Sequence, residues 1–387
     1  MKINSIKLQN FRSYKELEVS FGDKNIIVGE NTQGKTNLLE AIYLTSVGKS
    51  FRSKEADMVL WDEDHFRIEG SVENGHPQKI EYIYEKNVGK NGRKTVKING
   101  AKKPASALLG GFACVFFTPD EIDMFFAFPS LRRRHLNILL SKINREYSRE
   151  LIKYARVLEQ RNAQLKVIIK GNGKERDLEI WDGRLAEHGA QIIKERAGLV
   201  KKINKTLAAN YKKVARDDKE LIVKYEPSIS LPSVIPARQG SGKHPAGNHK
   251  NPTKDDIWAA FLEKLLESRR RDMAVGATNV GPHRDDVKIY LSGRDITTFG
   301  SRGEHRSAIV ALKLSEIDII KDAIGETPVL LMDDVFSELD EKRRENLVKA
   351  FEGQQTIVTT TDLDHIKEEL REGATIFEAK NSKIKRI

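Results

Sequence analysis

Apolar and polar residues alternate from Ile3 to Phe21, the two-residue period of strands with one buried face. A short apolar stretch at 25–28 reads as a buried strand, and residues 35–46 then take the spacing of a helix. Strand periods return at 66–72 and 80–85. Gly89, Asn91 and Gly92, and then Asn99-Gly100, supply the backbone freedom that tight hairpin turns need. The first hundred residues therefore predict short strands around one helix.

From 129 to about 216 the period becomes helical. Leu151, Tyr154, Leu158 and Leu165 share one face, and Leu185, Ile192, Leu199, Ile203 and Leu207 share another. Gly171-Asn172-Gly173 separates the two runs, so the pattern predicts a helical hairpin about 40–60 Å long at 1.5 Å per residue. Residues 227–252 hold five of the eleven prolines and read as a mobile loop. His244 and His249 lie in it with no Cys or carboxylate cluster at metal-ligand spacing. A helix at 255–271 and a strand at 287–291 follow, then helix 302–322, strand 328–332, helix 340–352, strand 356–360 and strand 374–379. This α/β alternation would complete a sheet begun by the N-terminal segment. The division expected is head residues 1–112, a helical second lobe at 113–275 with its loop at 227–253, and head residues 276–387.

Composition narrows the function classes. With 387 residues, 39% of them hydrophobic, the chain can fill a substantial core. It has no run near the roughly 18 apolar residues of a membrane span. Its opening shows no apolar signal-peptide core, and Cys114 is its single cysteine, which together predict a cytoplasmic protein without disulfides. The net charge is +11, and residues 131–216 alone carry 22 Lys and Arg against 9 Asp and Glu. Long solvated helices would account for that bias, and so would a face that binds nucleic-acid phosphates.

The strongest motif is Gly29-Glu30-Asn31-Thr32-Gln33-Gly34-Lys35-Thr36, with Asn37 continuing into the helix. It fits G-x-x-x-x-G-K-[ST] and lies between a predicted strand and a predicted helix, as a phosphate-binding loop must. Backbone N–H groups and the helix N-terminus would cradle the phosphates of ATP. Lys35 would bridge the β- and γ-phosphates and Thr36 would reach Mg²⁺. The strand Val329-Leu330-Leu331-Met332 ends in Asp333 and Asp334, the first placed to hold the metal and the second to take a proton from the attacking water. The long gap between the two motifs needs an inserted domain, which a compact P-loop kinase lacks. Ser301 and Gly303 open the helix at 302, an anion site when read alone. Beside the other two motifs, residues 299–306 look like an ABC signature, and Ser337-Glu338-Leu339-Asp340 looks like a D-loop.

These strings resemble the RecF family of ABC-type ATPases. The resemblance runs through Gln9-Asn10-Phe11-Arg12-Ser13-Tyr14, the phosphate loop, Gly48-Lys49-Ser50-Phe51-Arg52, Phe117-Thr118-Pro119-Asp120 and Ser130-Leu131-Arg132-Arg133-Arg134. It continues through Leu158-Glu159-Gln160-Arg161-Asn162, Gly281-Pro282-His283-Arg284-Asp285 and the stretch from Asp333 to Asp340. It implies an α/β, ABC-type P-loop ATPase head like that of SMC proteins, with an inserted helical second lobe. Arg12 and Ser13 would flank the nucleotide, residues 29–36 would hold its phosphates, and Ser301 and Gly303 would act on ATP held by a second copy. The implied function is DNA binding in gap repair, with weak DNA-stimulated ATP hydrolysis, an ATP-dependent homodimer, and RecR and RecO as partners in loading RecA. Arg132, Arg133 and Arg134 are the expected DNA-facing residues.

Against the wider ABC pattern, Glu304 stands where Gln is usual and Asp334 where Glu is usual. No Gln lies between Gly34 and Pro77 to mark a Q-loop, and Thr361-Asp362 follows the strand at 356–360 where a switch histidine would stand. An ABC transporter subunit would explain the phosphate loop but not the basic middle segment. An architectural DNA-binding protein would leave the loop structural, and a P-loop nuclease would need a second carboxylate cluster.

Overall fold

The computed structural model describes residues 1–89, 92–118, 125–215, 217–231, 252–338, 341–350, 353–366 and 368–387. Asn91, Pro119, Asp120, Leu339, Asp340 and most of the predicted 227–253 loop, His244 and His249 included, lie outside the described residues.

Three sheets organise the described residues. The first is antiparallel and six-stranded in the order β2-β1-β4-β5-β6-β7, built from β1 (Lys2–Phe11), β2 (Tyr14–Ser20), β4 (His65–Asn74), β5 (His76–Glu85), β6 (Arg93–Ile98) and β7 (Ala101–Lys103). Strands β1 and β4 alternate in burial because one face of the sheet is solvated, as the sequence period predicts. Asn99 (φ 50°) and Gly100 (φ 78°) form the turn between β6 and β7, where left-handed backbone is required.

The second sheet runs β15-β14-β3-β13-β12-β8, from β3 (Lys24–Val28), β8 (Cys114–Phe117), β12 (Val329–Asp333), β13 (Thr356–Thr360), β14 (Thr375–Lys380) and β15 (Lys383–Arg386). Strands β8, β12 and β13 are buried along their whole length, the property of parallel strands covered on both faces. The Lys35–Val47 helix packs between the two sheets and is buried at 11 of its 13 positions. Leu38, Leu39, Ile42 and Leu44 are wholly buried there. Each such side chain stabilises the fold by about 1.5–3 kcal/mol. This packing fixes the axis of the helix whose N-terminus carries the phosphate loop.

The predicted hairpin forms from Arg145–Ile169 and Glu179–Ala215, of 25 and 37 residues, and Gly171 at φ 79° ends the first. It does not stand free. Glu179–Ala215 also packs against Lys254–Val275 and Arg302–Ile324 and against β9 (Leu221–Glu226). The third sheet joins β9 to β10 (Asp286–Leu291) and β11 (Arg294–Asp295).

Sheet pairing departs from the expected division at both boundaries. Residues 114–117, assigned above to the helical lobe, form a parallel edge strand beside β12 in the second sheet. Residues 286–291, assigned to the head, pair with β9 of the middle segment. Chain order concealed this because β8 pairs with a strand 215 residues further on, and β10 with one 60 to 70 residues back.

Buried ion networks tie the lobe together. Arg161 donates to Asp182 at 2.7 Å, to Asp272 at 2.7 Å and to Thr278 Oγ1 at 2.8 Å, all without exposure of the guanidinium. Arg196 donates to the Pro282 carbonyl at 2.6 Å and to Asn137 at 2.9 Å. His283 stays neutral because burial lowers its pKa to about 4. In that form it takes a hydrogen bond from Tyr154 at Nδ1 (2.7 Å) and gives one from Nε2 to the Thr278 carbonyl (3.0 Å). The strings at 158–162 and 281–285 thus carry architecture.

Candidate nucleotide site

The phosphate loop starts where β3 ends, and Gly29 N donates to the Thr360 carbonyl of β13 at 3.2 Å. A Cβ on Gly29 would lie 2.3 Å from the Ala379 carbonyl oxygen, so the close approach of β14 demands glycine here. Gly34 has φ 94°, and a Cβ there would lie 2.7 Å from the Tyr14 hydroxyl, which itself donates to the Gly34 carbonyl at 2.9 Å. Gly34 caps the Lys35–Val47 helix without a side-chain acceptor, so the first-turn N–H groups keep their capacity for an anion. Glu30, Asn31 and Thr32 are exposed, and Gln33 accepts from Asn381 N at 2.7 Å.

Lys35 is buried and its ammonium donates to the Gly29 and Glu30 carbonyls at 2.5 and 2.8 Å. Burial lowers its pKa, against the raising influence of Asp334 and Asp333. Thr36 Oγ1 donates to Asp333 Oδ2 at 2.7 Å across 297 residues of sequence. The other Asp333 oxygen accepts from Thr359 Oγ1 at 2.7 Å. Burial raises the Asp333 pKa, while Thr359 and Thr36 pull it down. Asp334 sits at φ 50°, held by its backbone N–H donating to the Thr359 carbonyl and hydroxyl, each at 3.1 Å. Its buried Oδ1 has no hydrogen-bond partner among the described residues. Thr36 and Asp333 also border a cavity of about 360 Å³ lined by Tyr43, Phe51, Phe116 and Arg134.

Ser13 and Asn37 edge the loop together, Asn37 Nδ2 donating to Ser13 Oγ at 3.0 Å. Arg12 is turned to Glu40, donating from Nε and Nη2 at 2.8 Å each. Glu40 also accepts from Arg52 at 2.9 Å, and Arg52 donates to Asn37 at 2.6 Å. The 48–52 string is therefore wired to the helix of the phosphate loop.

Ser301 caps Arg302–Ile324 in a reciprocal box: its hydroxyl accepts from Glu304 N at 3.3 Å, and its N–H donates to Glu304 Oε2 at 2.9 Å. Lys219 donates to the other Glu304 oxygen at 3.1 Å. This gives Glu304 a role that the signature pattern did not supply. The Ser301 backbone N–H, with help from Lys219 and then the cap hydroxyl, holds its pKa below the ordinary range. Ser301 and Arg302 face solvent and Gly303 is half-buried.

The three arginines expected at DNA are engaged inside the protein. Arg132 is 5% exposed, forks onto Asp286 at 2.9 and 2.8 Å, and donates to the Phe125 and Phe126 carbonyls. Arg133 donates to the Asp285 carbonyl at 2.7 Å. Arg134 donates to the Phe51 and Ser50 carbonyls at 2.9 and 2.7 Å. A guanidinium that satisfies buried carbonyls cannot leave them for a phosphate without orphaning them. Arg132 is committed to the interior in this way, whereas Arg133 and Arg134 are half-buried with part of each guanidinium tied to a carbonyl.

Sequence reasoning did not single out Thr359 or Glu40. The apolar strand 356–360 was recognised, but its polar last residues carried no motif; its position between the loop strand and the carboxylate strand was the available signal. Among the described residues no group of three or more His, Cys, Asp or Glu forms a metal cluster, and no helix is long and apolar enough to cross a membrane. The oxygens of Thr36 and Asp333 do fit a single Mg²⁺, a hard cation that keeps several waters.

The model of the RecF/RecN/SMC N terminal domain family matches residues 2–385. The chain is 39% identical to the DNA replication and repair protein RecF of Agathobacter rectalis, over 94% of this chain and 93% of that one. It is 36% identical to RecF of Clostridium tetani, over 98% of each. Among solved structures it matches the recombination mediator protein RecF-ATPrS in the RecFOR pathway with TM-score 0.87 and 34% identity, covering 100% of this chain and 98% of that one. The RecF-ATP structure matches with TM-score 0.86, 34% identity and coverage of 100% and 97%. The Smc head domain of Pyrococcus furiosus shares the fold at TM-score 0.50 and 15% identity, over 100% and 95%.

Proposed function

The chain belongs to the RecF family, and from that premise we propose that it is an ATP-hydrolysing DNA-binding protein of replication and repair whose ATP-bound dimer holds DNA and whose hydrolysis releases it. The observation that carries this reading is the meeting of Thr36 and Asp333 at 2.7 Å, with the orphaned carboxylate oxygen of Asp334 next in sequence.

Each side chain then has a chemical task. The Lys35 ammonium, bonded to two loop carbonyls, can exchange them for β- and γ-phosphate oxygens; burial strengthens that electrostatic contact. Thr36 and Asp333 would hold Mg²⁺, which supplies charge neutralisation at the bridging phosphates. Thr359 orients Asp333 by donating to the oxygen that Thr36 does not use. Asp334 would accept the proton of the attacking water through its unpartnered oxygen. Ser13 and Asn37 shape the loop edge, and Arg12 braces it through Glu40. Ser301 and Gly303 are exposed enough to reach the γ-phosphate of ATP bound by a second copy, which makes dimerisation dependent on ATP. RecR is the proposed partner, with RecO and RecA in the same pathway.

The test is Asp334→Asn. It preserves size and polarity but cannot accept a proton, so turnover should fall about 10²–10⁴-fold while ATP still binds. The variant should leave DNA more slowly than the wild type. Normal hydrolysis would remove Asp334 as base, and rapid DNA loss with turnover blocked would remove the release step.

A further inference from the structure

On the Glu179–Ala215 helix, Leu185, Ile192, Leu199, Ile203, Leu207 and Val214 are buried against the rest of the fold. On the opposite side Lys194, Lys201, Lys205 and Lys212 are exposed, the last in an ion pair with Asp218 beyond the helix. Their spacing of seven, four and seven residues places them within about 40° of one another at 100° per residue, along about 27 Å of helix. Lys202 and Lys213 flank the line and are exposed too.

We propose that this lysine stripe is the surface of the chain that meets the phosphate backbone of duplex DNA, a proposal that rests on the DNA-binding reading above. Duplex DNA carries one phosphate per about 1.7 Å of axis with both strands counted, so a row of this length runs past more phosphates than it has ammoniums, and each long side chain can reach one. The intervening solvent side is low. Ala197, Gly198, Ala208 and Ala209 lie between the lysines, and a Cβ added to Gly198 would meet nothing within 4 Å. From Lys194 to Ala215 the single acidic residue is Glu195, half-buried and occupied by Gln191 at 2.9 Å and Asn144 at 3.3 Å.

The chemistry separates DNA from an anionic membrane surface. A helix that lies in a membrane inserts an apolar face beside its basic one. Here the apolar face is spent in the core, and the residues among the lysines are small. Just past the stripe, Lys219 bonds Glu304 in the cap box of Ser301. The C-terminal end of the stripe is therefore the one linked, through Lys219, to the edge proposed to receive a second copy. A dimer closed there would carry two stripes, so ATP should raise the number of phosphates contacted as well as the affinity.

The test is Lys194→Gln/Lys201→Gln/Lys205→Gln, with duplex DNA titrated at several salt concentrations with and without a slowly hydrolysed ATP analogue. If each lysine contacts one phosphate, log affinity against log salt should flatten by about 2.7 per chain, and affinity at 0.1 M salt should fall on the order of 10²–10³-fold. ATP turnover without DNA and the ATP-dependent mass should not change. Lys102→Gln/Lys103→Gln, on exposed β7, should leave the slope intact. An unchanged slope in the triple variant, an equal change in the β7 variant, or tighter stripe-dependent binding to anionic vesicles than to DNA would overturn the proposal. A wild type that binds no DNA with ATP would instead sink the functional reading itself.

Discussion

Glu40→Gln tests how much of the nucleotide site rests on one buried carboxylate. Glu40 has no exposed surface and accepts from Arg12 at both oxygens and from Arg52 at Oε2. Glutamine keeps the shape but removes the charge. Whichever way its amide turns, an N–H donor comes to face a guanidinium donor. Removing one partner of a buried ion pair costs about 3–5 kcal/mol. The Arg12 and Arg52 side chains keep 17% and 39% of their surface, so water recovers part of that and the lower end, about 3 kcal/mol, is the expected loss. Against a usual total of about 5–15 kcal/mol, this is readily measured by urea unfolding. The pH dependence has a fixed sign. Burial alone would raise the Glu40 pKa, but Arg12, Arg52 and Ser50 together hold it below its ordinary value. A depressed folded pKa contributes stability above the unfolded carboxyl range and loses it as pH falls through the folded value. The gap between variant and wild type should therefore be full at pH 7.5 and shrink on acidification below about pH 4.3. A gap below about 0.5 kcal/mol at pH 7.5, within the range of ordinary surface substitutions, would refute the reasoning. So would a gap that grows in acid.

Two further substitutions probe the remaining parts of the site. Ser301→Arg should abolish ATP-dependent dimerisation, read by light scattering, while leaving ATP affinity at the phosphate loop unchanged; a dimer that persists would exclude the role in a second copy's site. Thr359→Val removes the donor to Asp333 and should destabilise the fold by about 1.5–3 kcal/mol at neutral pH. Because the folded Asp333 pKa is already raised by burial, losing a donor raises it further, so the penalty grows as pH rises through that value and relaxes in acid. Thermal unfolding across pH checks this, and a pH-independent deficit would show that Thr359 acts by packing alone.

Local pattern and chain order explain which parts could be read beforehand. The phosphate loop, both carboxylates and the capped signature helix each lie in a short contiguous string, and residues 25–28, 287–291 and 356–360 alternate or cluster enough to mark strands. Strand β8 was not anticipated because Cys114–Phe117 is only four residues and its partner β12 lies far along the chain. β15 and the 221–226 strand carry mixed charged and apolar residues and are defined by their partners. Glu40 and Thr359 were hidden for a related reason. One occupies an unremarkable helical position and the other a strand end, and each becomes a site residue only when remote chain segments converge.

The arginines and lysines of the middle segment separate on physical grounds, so a count of their charges does not say which of them face solvent. A guanidinium is planar, weakly hydrated and able to fork onto carboxylates and carbonyls, so it can be buried with its donors occupied. Arg132, Arg161 and Arg196 are all buried and bonded to Asp286, to Asp182 and Asp272, and to the Pro282 carbonyl respectively. An ammonium is strongly hydrated, and its burial is costly without full pairing. Lys142 meets that condition through Glu316 at 2.9 Å and the Cys114 carbonyl at 2.8 Å, whereas Lys194, Lys202, Lys205 and Lys213 remain in solvent. Arginines with internal carboxylate partners add little to the long-range field because the pair is neutral overall. The field seen by an approaching phosphate is set by the exposed lysines, and an arginine triplet such as Arg132-Arg133-Arg134 is evidence of internal wiring as readily as of a nucleic-acid face.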